Sequence, residues 1–404
     1  MLNLPIPYST QEITPDDISA VTKILKSTFL TQGPAISALE ESFATYTESN
    51  HCVAVANGTA ALHLGILSLG VAAGEKVITS PLTFAASANC ILYAGARVIF
   101  CDIDKKTGLM DLEILQELID LHPDCKGVIP VNYAGMSVNT EKIRKIIGKN
   151  RFILEDACHS PGGYFIDSKS DKVKSGSNKY ADAAIFSFHA VKHIAAGEGG
   201  MLTCKSEKTA KQALTLRTHG ITKTNEDLIE NHGGWYYEMQ ALGFNYRLTD
   251  IQAALALSQL KRADQMIYRR KLLAERYHES LVNLPIQLPV ISENIGHAYH
   301  LFVIRLVRRK ELYDYLKKQQ ILCQIHYIPV HLHPYYQSLG FKKGQFPNAE
   351  SFYETCLSIP LYPSMTDGQQ DYVINKILFL RFYFRKKLSF YSLIIPFGDL
   401  MDYQ

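Results

Sequence analysis

The sequence has no long hydrophobic run. No stretch of about 18 apolar residues occurs, so no membrane-spanning helix is expected. It also lacks an excess of one charge. Forty-two basic residues face 39 acidic ones, a net charge of +3. That balance excludes the strong basic footprint of a nucleic-acid binder and leaves room for one phosphate-bearing ligand. The eight cysteines, at 52, 90, 101, 125, 158, 204, 323 and 356, include no CxxC pair. They read as reduced, mostly buried thiols, without a disulfide framework. The opening segment MLNLPIPYSTQEITPDD has no basic stretch followed by an apolar one, so no secretory signal is expected. A cytoplasmic location is the resulting expectation. No internal repeat or low-complexity tract is present. What is there is globular: 47% apolar and 20% charged residues across 404 positions. That length suits two or three domains, or one large domain with a smaller one attached.

The chain changes rhythm twice. Two helices are predicted first, Asp16 to Lys26 and Ala35 to Tyr46, each after a turn or breaker. From residue 51, short β-type runs alternate with helical patterns. The runs are His51–Ala56, Lys76–Thr79, Ala96–Cys101, Gly127–Val131, Phe152–Glu155, Ala183–Ser187 and Met201–Thr203. The helices are Ala60–Leu69, Ala85–Tyr93, Leu112–Leu121 and Thr140–Ile147. This alternation predicts βαβ units and a mostly parallel sheet. The polar segment Asp167–Tyr180 reads as a surface loop or hairpin. After Thr249 come one long helical stretch to about Asn283, a strand-like run His300–Leu306 and a helix Lys310–Gln319. A Tyr/His/Pro-rich loop follows (His326–Tyr336), then a helix Ala349–Ser358. These describe a smaller α+β unit.

Open α/β sheets bind ligands outside the carboxyl ends of their strands. After the first strand, Asn57-Gly58-Thr59 offers a glycine turn and a helix N-terminus, an anion site or an ordinary capped turn. After Phe152–Leu154 come Asp156 and His159. They could orient a heterocycle or a metal, or Asp156 could be a helix cap. After the Ala183–Ser187 run come Ser187, Lys192 and Gly197-Glu198-Gly199-Gly200. A desolvated lysine there would be a Schiff-base nucleophile. His189 and His193 have the i,i+4 spacing of zinc ligands on a helix, without the carboxylate that HExxH requires. His331 and His333 favour packing or substrate hydrogen bonding. No metal site is expected. Together, a phosphate cradle, an aspartate, a serine and a lysine are the parts that pyridoxal 5′-phosphate (PLP) needs.

At this point the chain resembles the DegT/DnrJ/EryC1/StrS sugar aminotransferases, of the PLP-dependent fold type I. Seven segments carry the resemblance in order. They are Leu30–Pro34, Asn57–Leu62, Pro81–Asn89, Glu155–His159, Phe186–His193, Gly197–Gly200 and Gly243–Leu248. Within the family, Ser187–His193, Trp235–Gln240 and Gln324–His331 point to the branch that makes UDP-4-amino-4,6-dideoxy-N-acetyl-β-L-altrosamine for pseudaminic acid. The resemblance implies an α/β fold: a large PLP-binding domain over 1–250 with a mostly parallel sheet, and a small C-terminal α+β domain over 251–377. A divergent tail follows over 378–404. It implies amino transfer from L-glutamate to C4 of a UDP-linked 4-keto-6-deoxy-N-acetylhexosamine, with other nucleotide keto-sugars as the alternative. A homodimer with shared active sites is implied; nucleic-acid and membrane partners are not.

Residue by residue, the resemblance makes Lys192 the Schiff-base lysine and proton shuttle. Asp156 pairs with the pyridine nitrogen, and Phe84 stacks on the ring. Gly58, Thr59 and Ser187 hold the phosphate. His159 sits beside the ring, and Asn245 reaches the phosphate in the partner subunit. Tyr8, Thr28, Phe29, Leu30, Thr31, Gln324, Ile325, His326 and Tyr327 line the sugar-nucleotide cleft. Lys192 argues against the dehydrases of this fold, which carry histidine there. The absence of a helix-turn-helix segment argues against a PLP-binding regulator. Two departures from the family pattern stand out: Ala190 in place of proline, and Ser160-Pro161 after His159 in place of Ala-Leu. The tail beyond Ile377 matches nothing expected. It reads as a peripheral, dispensable segment, a packed helix or a basic–aromatic membrane-binding stretch.

Overall fold

The computed structural model describes residues 5–290 and 292–391, with side chains as far as Phe379. Two helices lead, α1 (Pro15–Leu25) and α2 (Pro34–Thr47). Pro15 starts α1 behind a capping box in which the Thr14 side chain accepts from Asp17 N and Asp17 accepts in return. The alternating part then gives β1 (His51–Val55), α3 (Gly58–Ser68), β2 (Lys76–Thr79), α4 (Ala86–Tyr93), β3 (Arg97–Phe100) and α5 (Leu112–Leu121). It continues through β4 (Gly127–Ile129), α6 (Thr140–Ile147), β5 (Phe152–Asp156), β6 (Tyr164–Ile166), β7 (Lys172–Lys174), β8 (Ala183–Ser187), β9 (Gly200–Cys204) and α7 (Glu207–Arg217).

Seven of these strands form one sheet in the order β1-β9-β8-β5-β4-β2-β3. Only β9 runs against its neighbours, pairing antiparallel with both β1 and β8. The other pairings are parallel, so six carboxyl ends lie along one edge. Side chains alternate between two buried faces, as a sheet covered by helices on both sides requires. Val53, Val55, Leu154 and Ile185 pack with Leu62, Leu64 and Leu216 on one face. Ala54, Ala184 and Phe186 pack with Leu39, Phe43 and Leu260 on the other. The polar segment Asp167–Tyr180 contributes β7 to an antiparallel hairpin with β6.

Beyond the short pair β10 (Ile221–Thr222) and β11 (Glu238–Met239) lie α8 (Asp250–Leu260), α9 (Ala263–Leu281) and β12 (Ile295–Gly296). Then come β13 (Phe302–Arg305), α10 (Arg309–Lys318), α11 (Pro334–Ser338), α12 (Pro347–Thr355), β14 (Cys356–Ile359) and α13 (Asp367–Tyr391). A second core joins Leu273 and Tyr277 of α9, Phe302 and Ile304, Leu312 and Leu316, Leu357 and Ile359, and Val373 to Ile377. Ile6 belongs to it as well, through a parallel bridge to Ile321.

Three elements differ from the sequence expectation. The long helix after Thr249 is two helices, broken at Lys261-Arg262. The break falls where the Arg262 guanidinium turns to the buried Asp17 carboxylate at 2.9 Å and to the Glu12 carbonyl at 2.7 Å. The helix expected over 349–358 stops at Thr355, because Cys356–Ile359 pairs antiparallel with β13. Its alternation, with Leu357 and Ile359 in the second core and Cys356 facing another cluster, is a strand period too short to stand out beside a helix. Helix α13 runs through Ile377 without a stop. Ile377 is buried in the second core, whereas Phe379 is exposed with its ring 6.5 Å from Tyr315. The rest of the tail, 392–404, lies outside the described residues. Among the described residues no helix is long and apolar enough to cross a membrane.

Candidate active site

Three strand ends bring the central residues together. Asp156 ends β5, Ser187 ends β8, and Asn57-Gly58 follows β1 into α3. Asn57 caps α3 through its side-chain oxygen, which accepts from Ala60 N at 2.8 Å. The remaining first-turn N–H groups of α3 point out of the helix end, where a helix N-terminus suits an anion. Glycine is required where chains approach closely. A Cβ on Gly58 would lie 3.0 Å from Ser187 Cβ, and one on Gly200 would lie 2.4 Å from the Asn57 carbonyl oxygen. Gly200 sits opposite both Val55 and Ser187 in the sheet, so β9 passes directly behind the turn.

Asp156 is buried and bonded on both oxygens. Ser87 Oγ donates to Oδ2 at 2.6 Å, and Cys158 N donates to Oδ1 at 3.2 Å. Behind it, Asn132 Nδ2 donates to Glu155 Oε1 and to Ser160 Oγ, both at 2.6 Å. The departure Ser160 is thereby a member of a buried polar network that fixes the loop after His159.

Lys192 lies in a turn after β8, its N–H bonded to the His189 carbonyl at 2.8 Å. Burial lowers the ammonium from its ordinary value, opposed by Cys158 and Asp156. Its Nζ is 3.4 Å from His300 Nε2. His159 bonds the Tyr327 hydroxyl at 3.0 Å through Nε2, and its ring centre is 4.4 Å from that of His300. Burial pushes His159, His193 and His300 well below the usual histidine range, and the nearby Lys192 adds to it. Their Nδ1 atoms find no partner among the described residues. Tyr327 is pushed well above its ordinary value, chiefly by burial.

The Asn57-Gly58 turn, Asp156, His159, Ser187, Lys192, Tyr327 and His326 are therefore neighbours. His326 bonds Ser358 Oγ at 2.8 Å and lies 5.4 Å from the Tyr8 ring. Phe84 stands 6.1 Å from Tyr327 and is 62% exposed. Thr59 is half-buried in the first turn of α3. Ile325 packs between two cores, and Gln324 is exposed, paired to Ser358 through its backbone. Thr28, Phe29, Leu30, Thr31 and Asn245 are not brought into this group. All five are exposed; Phe29 lines a groove of about 890 Å³ with residues of α1 and α8 that the Lys192 cluster does not share. The zinc spacing of His189 and His193 fails physically: the segment is a turn, His189 is exposed and His193 is buried. His331 instead bonds the buried Glu350 at 2.9 Å. Among the described residues no three His, Cys, Asp or Glu side chains form a metal-binding group. Sequence reasoning gave no role to Ser87 or His300. Ser87 lay inside a matching segment, and the polar start of the apolar run His300–Leu306 was the only signal for His300.

The residues fit PLP. A glycine-lined helix end and Ser187 suit a phosphate, Asp156 suits a protonated ring nitrogen, and the unpartnered His159 Nδ1 offers a further polar contact. Lys192 supplies the amine. Comparison with known proteins agrees. Residues 11–378 match the DegT/DnrJ/EryC1/StrS aminotransferase family. The spore coat polysaccharide biosynthesis protein SpsC of Bacillus subtilis (strain 168) is 39% identical over 382 residues, covering 92% of this chain and 96% of that protein. The sugar aminotransferase Spr1654 from Streptococcus pneumoniae, in its PMP form, superposes with a TM-score of 0.85 at 30% identity, covering 92% of this chain and 98% of that one. The same protein is also known in its PLP form. Helicobacter pylori PseC, an aminotransferase of pseudaminic acid biosynthesis, superposes with a TM-score of 0.83 at 28% identity, covering 92% and 98%. The chain belongs to the DegT/DnrJ/EryC1/StrS sugar aminotransferase family and is a PLP-dependent aminotransferase.

Proposed function

We propose that the enzyme transfers an amino group from L-glutamate to C4 of a UDP-linked 4-keto-6-deoxy-N-acetylhexosamine. The product would be UDP-4-amino-4,6-dideoxy-N-acetyl-β-L-altrosamine, for pseudaminic acid synthesis in the cytoplasm. The observation that carries this reading is the likeness to PseC over 92% of the chain. A second reading, another nucleotide keto-sugar, is supported by the 39% identity to SpsC, a protein named for spore coat polysaccharide rather than pseudaminic acid biosynthesis.

When bound, PLP supplies the electron sink for the transfer. The protein's residues do the rest. The first turn of α3, with Gly58, Thr59 and Ser187, holds the phosphate. Asp156 holds the proton on the ring nitrogen, itself oriented by Ser87. His159 and Phe84 bracket the ring. Lys192 Nζ takes the proton from the donor's α-carbon and returns one to the sugar's C4. Tyr8 and Gln324–Tyr327 line the cleft for the sugar nucleotide. The test is a panel of UDP- and dTDP-linked 4-keto sugars with glutamate, read by mass spectrometry. The UDP-N-acetylhexosamine should lead by at least about tenfold in kcat/KM, roughly 1.4 kcal/mol of discrimination. A lead for a keto-pentose or a dTDP-sugar would overturn it in favour of the second reading.

A homodimer with shared sites completes the proposal. Thr28–Thr31 and Asn245 are exposed in the protomer, and so is an apolar flap with Trp235 at 75% and Met239 at 65%. Exposure of this kind marks an interaction surface. Mixing Lys192→Ala with Asn245→Ala protomers should restore part of the activity, since one site in each mixed dimer is intact. No recovery despite demonstrated subunit exchange would remove Asn245 from the partner's site.

A further inference from the structure

We propose that His300 is a positioning residue for Lys192, accepting one N–H of its amine so that the lone pair keeps a single direction during proton transfer. The proposal rests on the reading of Lys192 as the acid–base group and is independent of which sugar is used.

A lysine side chain is flexible, and a proton shuttle has to be held. A group that could hold the Lys192 amine without charge is His300 Nε2, at 3.4 Å. Accepting there places the ring proton on Nδ1, which is buried and finds no partner among the described residues. The groups that face the ring are Lys192, His159, His193 and Arg270. None is a carboxylate, and burial keeps the imidazole neutral, so one ring nitrogen is free to accept; in the proposed arrangement it is Nε2.

The backbone that presents His300 is held from three sides. Arg270, 1% exposed, donates from Nη1 to the Leu361 carbonyl at 2.8 Å and to those of Tyr299 and His300 at 3.3 Å. His193, the residue after Lys192, bonds the Ala298 carbonyl through Nε2 at 2.8 Å, tying the lysine turn to the same segment. On the third side, Ala298 N donates to the Gly135 carbonyl at 2.8 Å and Leu301 N to that of Ala134 at 3.1 Å. Gly135 has φ +107°, and a Cβ there would stand 2.8 Å from the nitrogens of both Tyr299 and His300. Between them Tyr299 adopts φ +48°, a left-handed conformation unusual for a tyrosine. Its N–H is fixed by His297 Nδ1 at 2.8 Å, and its ring stacks on His297 at 4.1 Å. Strained residues persist where their surroundings over-determine them, and they cluster at functional sites. Here the strain sits one residue before the imidazole that meets Lys192.

The test compares His300→Gln with His300→Asn in the holoenzyme. A glutamine can place an acceptor near the Nε2 position, whereas an asparagine reaches only the Nδ1 position. In the half-reaction with glutamate, His300→Asn should slow turnover about 10- to 100-fold. The KM for glutamate should stay within about twofold, because positioning acts on the transition state more than on binding. The isotope effect with α-deuterated glutamate should rise as proton transfer becomes limiting. His300→Gln should restore the rate to within about fivefold of the parent. A readout on the apoenzyme is competitive acetylation of Lys192 at neutral pH, followed on its peptide by mass spectrometry. Loss of the acceptor removes a bond that favours the ammonium, so His300→Asn should label about threefold to tenfold faster, and His300→Gln like the parent. Equal behaviour of the two variants, or an unchanged isotope effect and labelling rate in His300→Asn, would overturn the proposal. Failure of the underlying reading looks different: Lys192→Ala would then keep the isotope-sensitive step.

Discussion

Replacing Lys192 with alanine is expected to reduce turnover by about 10⁴-fold or more and to abolish covalent attachment of the cofactor. The lysine is the one amine in the cluster formed by Asp156, His159, His300 and Tyr327. Burial lowers its ammonium, so a larger fraction is the neutral nucleophile than in an exposed lysine. On the proposed reading, removing it would take away both the attachment point and the proton shuttle. His159 and His193 are engaged through Nε2 by the Tyr327 hydroxyl and the Ala298 carbonyl, and an imidazole such as His300 has no primary amine to attach the cofactor. The phosphate turn at Asn57-Gly58 and the Ser187 hydroxyl are untouched, so the variant should still bind PLP noncovalently. Absorbance of the lysine-bound cofactor and steady-state turnover are the readouts. A variant that keeps both would remove Lys192 from its role.

Asp156→Asn should keep the fold and lose at least about 10²-fold in kcat, the size of effect seen when a preorganised electrostatic partner is removed. The amide fits the same space: Cys158 N keeps Oδ1 as its acceptor, and the Ser87 hydroxyl turns to accept from the Nδ2 that replaces Oδ2. What disappears is the negative charge that, on the proposed reading, would stabilise a protonated ring nitrogen. The thermal midpoint should move little, while the rate falls. An activity near that of the parent would count against the pairing. A large drop in stability with normal kcat would make Asp156 a structural residue.

Much of the sheet could be read in advance because its signals are local. β2 and β8 begin and end where the short apolar β-type runs do, and α5 and α6 follow Asp111 and Asn139 caps. Asp156, Ser187 and Lys192 were legible because each stands just after such a run, at the edge where parallel strands end. What escaped was set by distant parts of the chain. The break at Arg262 is tied to Asp17, 245 residues away. The strand Cys356–Ile359 needs β13 as its partner. His300 reaches Lys192 across 108 residues. It is presented by Arg270 and by the left-handed Tyr299, neither of which has a local signature. Leu30, Thr31 and Asn245 are a different case. Their segments resemble the family, yet one protomer leaves them exposed.

The most direct measurement is borohydride reduction of the PLP-loaded enzyme, followed by proteolysis and mass spectrometry. The mass of one reduced pyridoxyl phosphate group is expected on the peptide that carries Lys192 and on no other. Addition of glutamate before reduction should abolish the label, because the cofactor then leaves the lysine. A label on a different lysine, or a Lys192 label that glutamate does not remove, would contradict the assignment of this cluster as the transamination site.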